Sequence, residues 1–284
     1  MLSSLITAEP NRTPQMADAA VGCGHMSHIR IEDRDSVRHL IFDRADKRNA
    51  MNSEFIVDLD TALLDTQNDP AIRCVVIRGD GPMFSAGIDT SSLSDFSGGL
   101  AKLRPTREAM IRAFNRCEEM TKPVIAQVHG AAIGMAMELT LACDMRVTAD
   151  DAVWSLPETR IGLIPDVGGS SRLPAIVGLG RAKELIMTGK FIAGDEAERI
   201  GLANRSVPAG QLDEAVQTLV DELLGCAPIA VGLAKRVLDS VARPNLSQNL
   251  ELEVTAQTVC AATEDFVEGA SAVSERRQPN FKGS

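Results

Sequence analysis

Apolar residues recur along this chain with two periods, and their alternation predicts an α/β protein. Short runs with strand character cover 28–33, 37–42, 74–78, 124–128, 145–149, 152–155 and 203–207. The D-R-D-S segment between the first two predicts a hairpin. Between the strands the spacing turns helical. Over 54–68, Phe55, Ile56, Leu59, Leu63 and Leu64 mark a helix, with Ser53 as its N-cap and Asp69-Pro70 ending it. Further helices are expected over 106–120, 181–187 and 194–200, with 91–104 a loop whose mobile point is Ser97-Gly98-Gly99. From Gln211 onward the pattern is nearly all helix, over 211–225, 228–241, 246–263 and 265–276. Residues 1–26 show no clear period and read as a mobile tail; 27–210 read as a mixed core and 211–284 as a helical region. Strand-plus-helix units recur within the core, which suits a coiled stack of ββα turns.

The chain is organised around His129–Asp144, H-G-A-A-I-G-M-A-M-E-L-T-L-A-C-D. An apolar strand runs into a turn with Gly130 and Gly134, and a helix with Glu138 in its first turn follows. Small residues let backbone and ligand approach closely, and a helix start offers unpaired N–H groups and a positive dipole end. A developing oxyanion can be stabilised there, with an acid or base one turn away. Taken alone, strand, glycine turn and helix also form an ordinary α/β connection, and Glu is a common dipole partner in a first turn.

Composition narrows the classes of function. The 284 residues are 44% hydrophobic, enough for a large core, and carry a net charge of −10. An acidic chain without a long basic run does not fit a nucleic-acid or anionic-membrane partner, and no apolar run reaches the length of a membrane span. Six scattered cysteines without a C-x-x-C pair argue against a disulfide scaffold or a zinc site. They suit a reducing cytoplasm.

Two other segments share the chemistry of the central stretch. In F-S-A-G-I-D (84–89), Gly87 can aim the N–H of Ile88 at a ligand, as Gly134 can that of Met135. The third segment supplies Glu158 after Leu156-Pro157, then Asp166 before Gly168-Gly169. Read singly, each of these has a structural explanation: a tight turn, an exposed turn acid, a capping acid.

Taken together, and in this order, the motifs resemble the enoyl-CoA hydratase/isomerase, or crotonase, superfamily over roughly residues 28–282. The markers are D-R-A-D-K-R-N-A-M-N (43–52), F-S-A-G-I-D (84–89), K-P-V-I-A-Q-V-H-G (122–130), G-M-A-M-E-L-T-L-A-C-D (134–144), L-P-E-T-R-I-G-L-I-P (156–165), T-G-K (188–190), A-E-R-I-G-L-A-N (197–204) and S-E-R-R-Q-P-N-F-K (274–282). The resemblance implies a spiral of ββα turns with a helical C-terminal trimerisation region. It implies an acyl-CoA thioester substrate, with coenzyme A arriving as part of it and no permanently bound cofactor. It implies a homotrimer or dimer of trimers. The oxyanion donors it implies are the N–H groups of Ile88 and Met135, and the hydratase carboxylates are Glu138 and, twenty residues on, Glu158. Contacts to CoA are expected from Arg44, Lys47, Ala50, Ser85, Ala86 and Asp89, and from Arg276, for which a solvated charge on the last helix is the competing reading. Two departures stand out. Met135 replaces a common glycine, and Asp166 stands where hydratases often carry glycine. The dienoyl-CoA isomerases of the superfamily have an acid at that position. Enoyl-CoA hydratase is therefore the main expectation, with a 3,5-2,4-dienoyl-CoA isomerase using Glu158 and Asp166 as the alternative. A catalytically idle acyl-CoA binder is a third reading, disfavoured by the presence of both glutamates.

Overall fold

The main sheet starts as an antiparallel meander and becomes parallel once helices begin to connect its strands. The computed structural model describes residues 23–92 and 100–284. β1 (Cys23–His25), β2 (Ile29–Arg34) and β3 (Val37–Phe42) form the meander. Every residue of β3 is buried, as a strand with neighbours on both edges and a helix on one face requires. α1 (Ser53–Asn68) then crosses to β4 (Cys74–Gly79), parallel to β3. α2 (Leu100–Glu119) leads to β5 (Val124–Val128), parallel to β4.

β5 is followed by β6 (Ala131–Ile133) and α3 (Met135–Ala142), then by β7 (Met145–Ala149), which returns to the main sheet beside β5. β8 (Val153–Ser155) pairs with β6 instead. α4 (Gly169–Val177), α5 (Leu179–Thr188), β9 (Ile192–Ala193) and α6 (Gly194–Arg199) precede β10 (Arg205–Val207), which joins β7 in parallel. The sheet orders are β1-β2-β3-β4-β5-β7-β10 and β6-β8-β9. Each turn of the spiral thus sends one strand to the large sheet, one segment to the small sheet, and a helix back. The segment after β4 follows the same rule, because Ser85 bridges to Ala132 of β6.

The C-terminal region is α7 (Leu212–Leu224), α8 (Pro228–Ala242), α9 (Leu246–Ala261) and α10 (Glu264–Glu275). Its helices fall within two residues of the sequence expectation at each end. α7 covers the large sheet, α9 packs on α2 and α4, and α10 packs on the 3-10 turn Glu158–Ile161. The helical region is therefore part of the same packed body as the spiral.

Several expectations need correction. Within the expected tail, Cys23–His25 forms β1, ahead of Ser27, because it finds partners on β2; the rest of the expected tail and Ser97-Gly98-Gly99 lie outside the described residues. Asn52, not Ser53, caps α1, its side chain accepting from the Phe55 N–H at 2.9 Å. α2 begins at Leu100 rather than 106 and runs through Pro105. Burial of Leu103, Met110, Ala113, Phe114 and Cys117 along it outweighs the local proline signal. α4 was not expected, since Gly168-Gly169 and Pro174 read as breakers. Gly168 adopts a left-handed φ of 102° as its N-cap, and buried Leu173 and Arg172 anchor it.

Candidate active site

Two glycine turns bring the segments 84–89 and 130–138 into backbone contact. Gly87 has φ 86° and Gly134 φ 56°, conformations that side chains rarely adopt. A Cβ on Gly87 would lie 2.3 Å from the Ile133 carbonyl oxygen and 3.4 Å from the Met135 nitrogen. The Ser85 hydroxyl helps set this turn, donating to the Asn49 carbonyl at 2.7 Å and accepting from the Gly87 N–H at 3.0 Å. Among the described residues, neither the Ile88 nor the Met135 N–H donates to another protein group. Both residues line a cavity of about 420 Å³, together with Glu138, Glu158 and Asp166.

The two glutamates reach this cavity from different elements and meet different surroundings. Glu138 projects from the first turn of α3 and is 2% exposed. Its Oε1 accepts from the Val167 N–H at 2.9 Å and the Gly169 N–H at 2.8 Å. Gly169 makes that approach possible, since a Cβ there would lie 2.7 Å from the same oxygen. Glu158 opens the 3-10 turn, with its Oε1 2.8 Å from where a Gly134 Cβ would be. Among the described residues, its Oε2 is sealed from water and has no hydrogen-bond partner.

These surroundings separate the proton affinities of the pair. Burial pushes the Glu158 carboxyl well above the usual carboxylate range, and neighbouring Glu138 pushes it the same way; Arg107 only partly opposes them. Glu138 is also raised by burial, but Arg107, the N–H groups of Val167 and Gly169, and Arg172 pull it back. Of the two, Glu158 holds its proton more tightly, and Glu138 ionises more readily. Asp166 is 3% exposed and forms an ion pair with Arg107, leaving its Oδ2 without a partner.

The residues expected at CoA divide into distinct groups. Arg44 pairs with Asp89 at 2.8 Å and donates to the Ala50 carbonyl at 2.7 Å, which fastens the 44–50 loop to the 85–89 strip. Ala86 lines the cavity, and Lys47 is exposed at its 3-10 turn. The Ser85 side chain is fully buried, bonded to Asn49 and Gly87, and lies outside the cavity lining. Arg276 is exposed at the C-cap of α10 and is not brought to the cavity wall within one chain.

The chain is similar in sequence and fold to known proteins. The sequence model described as enoyl-CoA hydratase/isomerase matches residues 32–284. A crotonyl-CoA hydratase of Syntrophomonas wolfei is 33% identical over 255 residues, covering 89% of this chain and 97% of that protein. The peroxisomal Delta(3,5)-Delta(2,4)-dienoyl-CoA isomerase of Arabidopsis thaliana is 33% identical over 264 residues, covering 89% and 95%. A crystal structure of an enoyl-CoA hydratase from Mycobacterium avium subsp. paratuberculosis superposes with a TM-score of 0.82 at 28% identity, covering 91% of this chain and all of that one. The chain belongs to the enoyl-CoA hydratase/isomerase family.

Within this enoyl-CoA hydratase/isomerase site, sequence reasoning missed four residues. Asn49 is fully buried with a left-handed φ of 53°. Its amide donates to the carbonyls of Asp80, Met83 and Phe84, and its Oδ1 accepts from the Arg44 N–H. An Asn inside a polar turn was the available signal. Arg107 comes from α2 and is 2% exposed. Glu253 and Gln257 come from α9: Glu253 accepts from the N–H groups of Gly168 and Ser171, and Gln257 from the Ile164 N–H. A polar pair at i and i+4 on the otherwise apolar face with Leu250 and Val254 was their signal.

Proposed function

We propose that this protein is an enoyl-CoA hydratase, adding water across the double bond of a 2-enoyl-CoA thioester. The observation that carries the reading is the unequal pair of acids on one cavity, Glu138 buried and Glu158 half-buried. Glu138 is held by two backbone N–H groups beside Arg107, and Glu158 has a sealed, unpartnered oxygen beside Glu138. In the reaction, the N–H groups of Ile88 and Met135 hold the thioester oxygen as negative charge builds on it. Glu138 takes a proton from water as its oxygen bonds to the β-carbon, and Glu158 gives its proton to the α-carbon. Coenzyme A enters as part of the substrate, past the Arg44–Asp89 pair, with Lys47 and Ala50 on the same loop and Ala86 on the facing strip.

A second reading, the dienoyl-CoA isomerase, is favoured by one observation: Asp166 is buried on the same cavity with a free Oδ2. One experiment separates the two. Crotonyl-CoA should lose its conjugated thioester absorbance in the presence of the protein, whereas a 3,5-dienoyl-CoA should gain dienoyl absorbance only if the second reading holds. Turnover of neither would leave an acyl-CoA binder.

The same proposal includes a homotrimer or dimer of trimers in the cytoplasm. The stripe Ile229, Leu233, Val237 and Val241 on α8 supports the assembly, being between 56% and 78% exposed at helical spacing. Leu219 and Val220 of α7 pack inside the chain's own core. Arg276 can then meet substrate from a neighbouring protomer. Cys74, Cys117, Cys143, Cys226 and Cys260 are free, in keeping with a reducing compartment. Light scattering that shows a monomer at micromolar concentration would remove the assembly claim.

A further inference from the structure

Arg107 is a charge at the acid end of the cavity whose nearest partner is itself part of the site. Glu138 faces charged groups from every element packed around it: Arg107 on α2, Glu158 on its 3-10 turn, Asp166 in the loop before α4, Arg172 on α4, and Glu253 on α9. Arg172 is committed elsewhere, to Glu118 at 2.7 Å and to the Asn115 side chain at 2.6 Å. The Arg107 guanidinium forms an ion pair with Asp166 through Nη2, and among the described residues neither its Nε nor its Nη2 makes a hydrogen bond. Removing it would leave Asp166 as an unopposed anion among three glutamates.

We propose that Arg107 is a positioning residue of this site: buried on the cavity wall that it shares with Glu138 and Glu158, it pairs with Asp166 and supplies the cation that favours Glu138 as the base of the pair. This rests on the hydratase reading for its catalytic meaning. Arg107 acts on the reaction through the acids and makes no bond to the reacting carbons. The attraction of Glu138, Glu253 and Glu158 works against burial, which lowers the guanidinium to about 10 and leaves it charged at neutral pH.

The test compares pH profiles. Losing an adjacent cation raises a carboxyl's proton affinity, so in Arg107→Met the acidic limb of kcat/KM for crotonyl-CoA should move up by roughly one pH unit or more. At about pH 7 kcat should fall roughly tenfold or more while KM stays within about threefold, since the lost effect is on the base and not on binding. Arg107→Lys should keep the limb near its wild-type place. The pair Arg107→Met with Asp166→Asn, which removes one charge of each sign, should bring it back toward wild type. Asp166→Asn alone leaves the cation unopposed and should move the limb to lower pH. A purely structural role would move none of these limbs in a charge-dependent order. A folded Arg107→Met with an unmoved limb overturns the proposal; if that variant does not fold, an unmoved limb in Asp166→Asn does. If the wild type hydrates no enoyl-CoA, the hydratase reading fails by itself. The charge assignment is then read from the protonated-carboxyl infrared band. Comparison with matching Glu138→Gln proteins must show Glu138 more protonated in Arg107→Met than in wild type at about pH 7, and an equal band rejects it.

Discussion

The two ends of this cavity are built from opposite materials. The end around Ile88 and Met135 is backbone: two glycine turns and two N–H groups that, among the described residues, donate to no other protein group. The end around Glu138, Glu158 and Asp166 is charged side chains drawn from α2, α3, the 3-10 turn, the Asp166 loop and α9. Backbone donors are fixed by local chain geometry and need no partner elsewhere. Buried carboxyls need neighbours to set their charge, and those neighbours lie far away in sequence. The difference lies in how each end can fail. The first fails sterically, at single glycines, and the second fails electrostatically, at any of several distant residues.

The largest effect is expected at the charged end. Glu138→Gln and Glu158→Gln keep size and hydrogen bonding but cannot exchange a proton. Each should lower kcat for crotonyl-CoA by roughly 100- to 10,000-fold with a much smaller change in KM. Steady-state kinetics on both variants check this. Equal, small losses would mean that the acids do not carry the chemistry and that the contrast between the two ends has no mechanistic content.

Next comes the backbone end. Gly87→Ala puts a Cβ 2.3 Å from the Ile133 carbonyl oxygen in a φ of 86°, so the turn must shift and misaim the Ile88 N–H. The loss of one aimed donor should cost about 100-fold in kcat. Melting followed by circular dichroism should show a protein that still folds, with a lower Tm. A variant with a lowered Tm and unchanged kcat would separate this turn from the chemistry and leave it a structural feature.

The same contrast explains what could be read in advance. The glycines at 87 and 134, the residues Ile88 and Met135, and the acids at 138, 158 and 166 all sit in short motifs, and the resemblance of those motifs to the enoyl-CoA hydratase/isomerase family is what pointed to one site. The helices after Gln211 were legible because their apolar spacing is long and regular. The supporting charges were not. Arg107 sits on a helix whose start was obscured by Pro105, and Glu253 lies 115 positions after Glu138 in a region read as an assembly surface. α4 was hidden because Gly168, Gly169 and Pro174 signal a break locally, while burial of Leu173 and Arg172 decides the structure. Local pattern does not encode which distant carboxylate a guanidinium will meet.

Between the two ends, Asn49 tests whether the backbone side depends on a hidden side chain after all. Its amide bonds three carbonyls in the chain that leads to Ser85. Asn49→Ala would leave those acceptors without their donor and place Ala at a left-handed φ of 53°. A destabilisation of about 2–3 kcal/mol is expected, measured by urea unfolding, with KM for the thioester rising as the Arg44 loop loosens. No change in unfolding midpoint would show that water replaces the amide at no cost.

The smallest effect concerns stability and is specific to the charged end. Burial, and then Glu138, lift the Glu253 carboxyl from 4.5 to about 7, while the Ser171 hydroxyl and the N–H groups of Gly168 and Ser171 pull it back only in part. A folded-state value above the unfolded one means that the fold binds the proton more tightly. The stabilisation is complete below about 4.5 and is lost as pH rises through about 7. His39 works in the other sense: burial lowers it to about 4, so its contribution is present above 6.5 and is lost as pH falls toward 4. Absolute melting curves mix such groups, so the informative quantity is a difference. Glu253→Gln removes one titration and keeps a carbonyl acceptor for the loop before α4. Wild-type Tm minus variant Tm should therefore decline by a few degrees between about pH 5 and pH 8. Differential scanning calorimetry at matched ionic strength measures it. Parallel curves would mean that Glu253 is as free to ionise in the fold as in the unfolded chain. The acid end would then be less crowded with charge than its geometry implies.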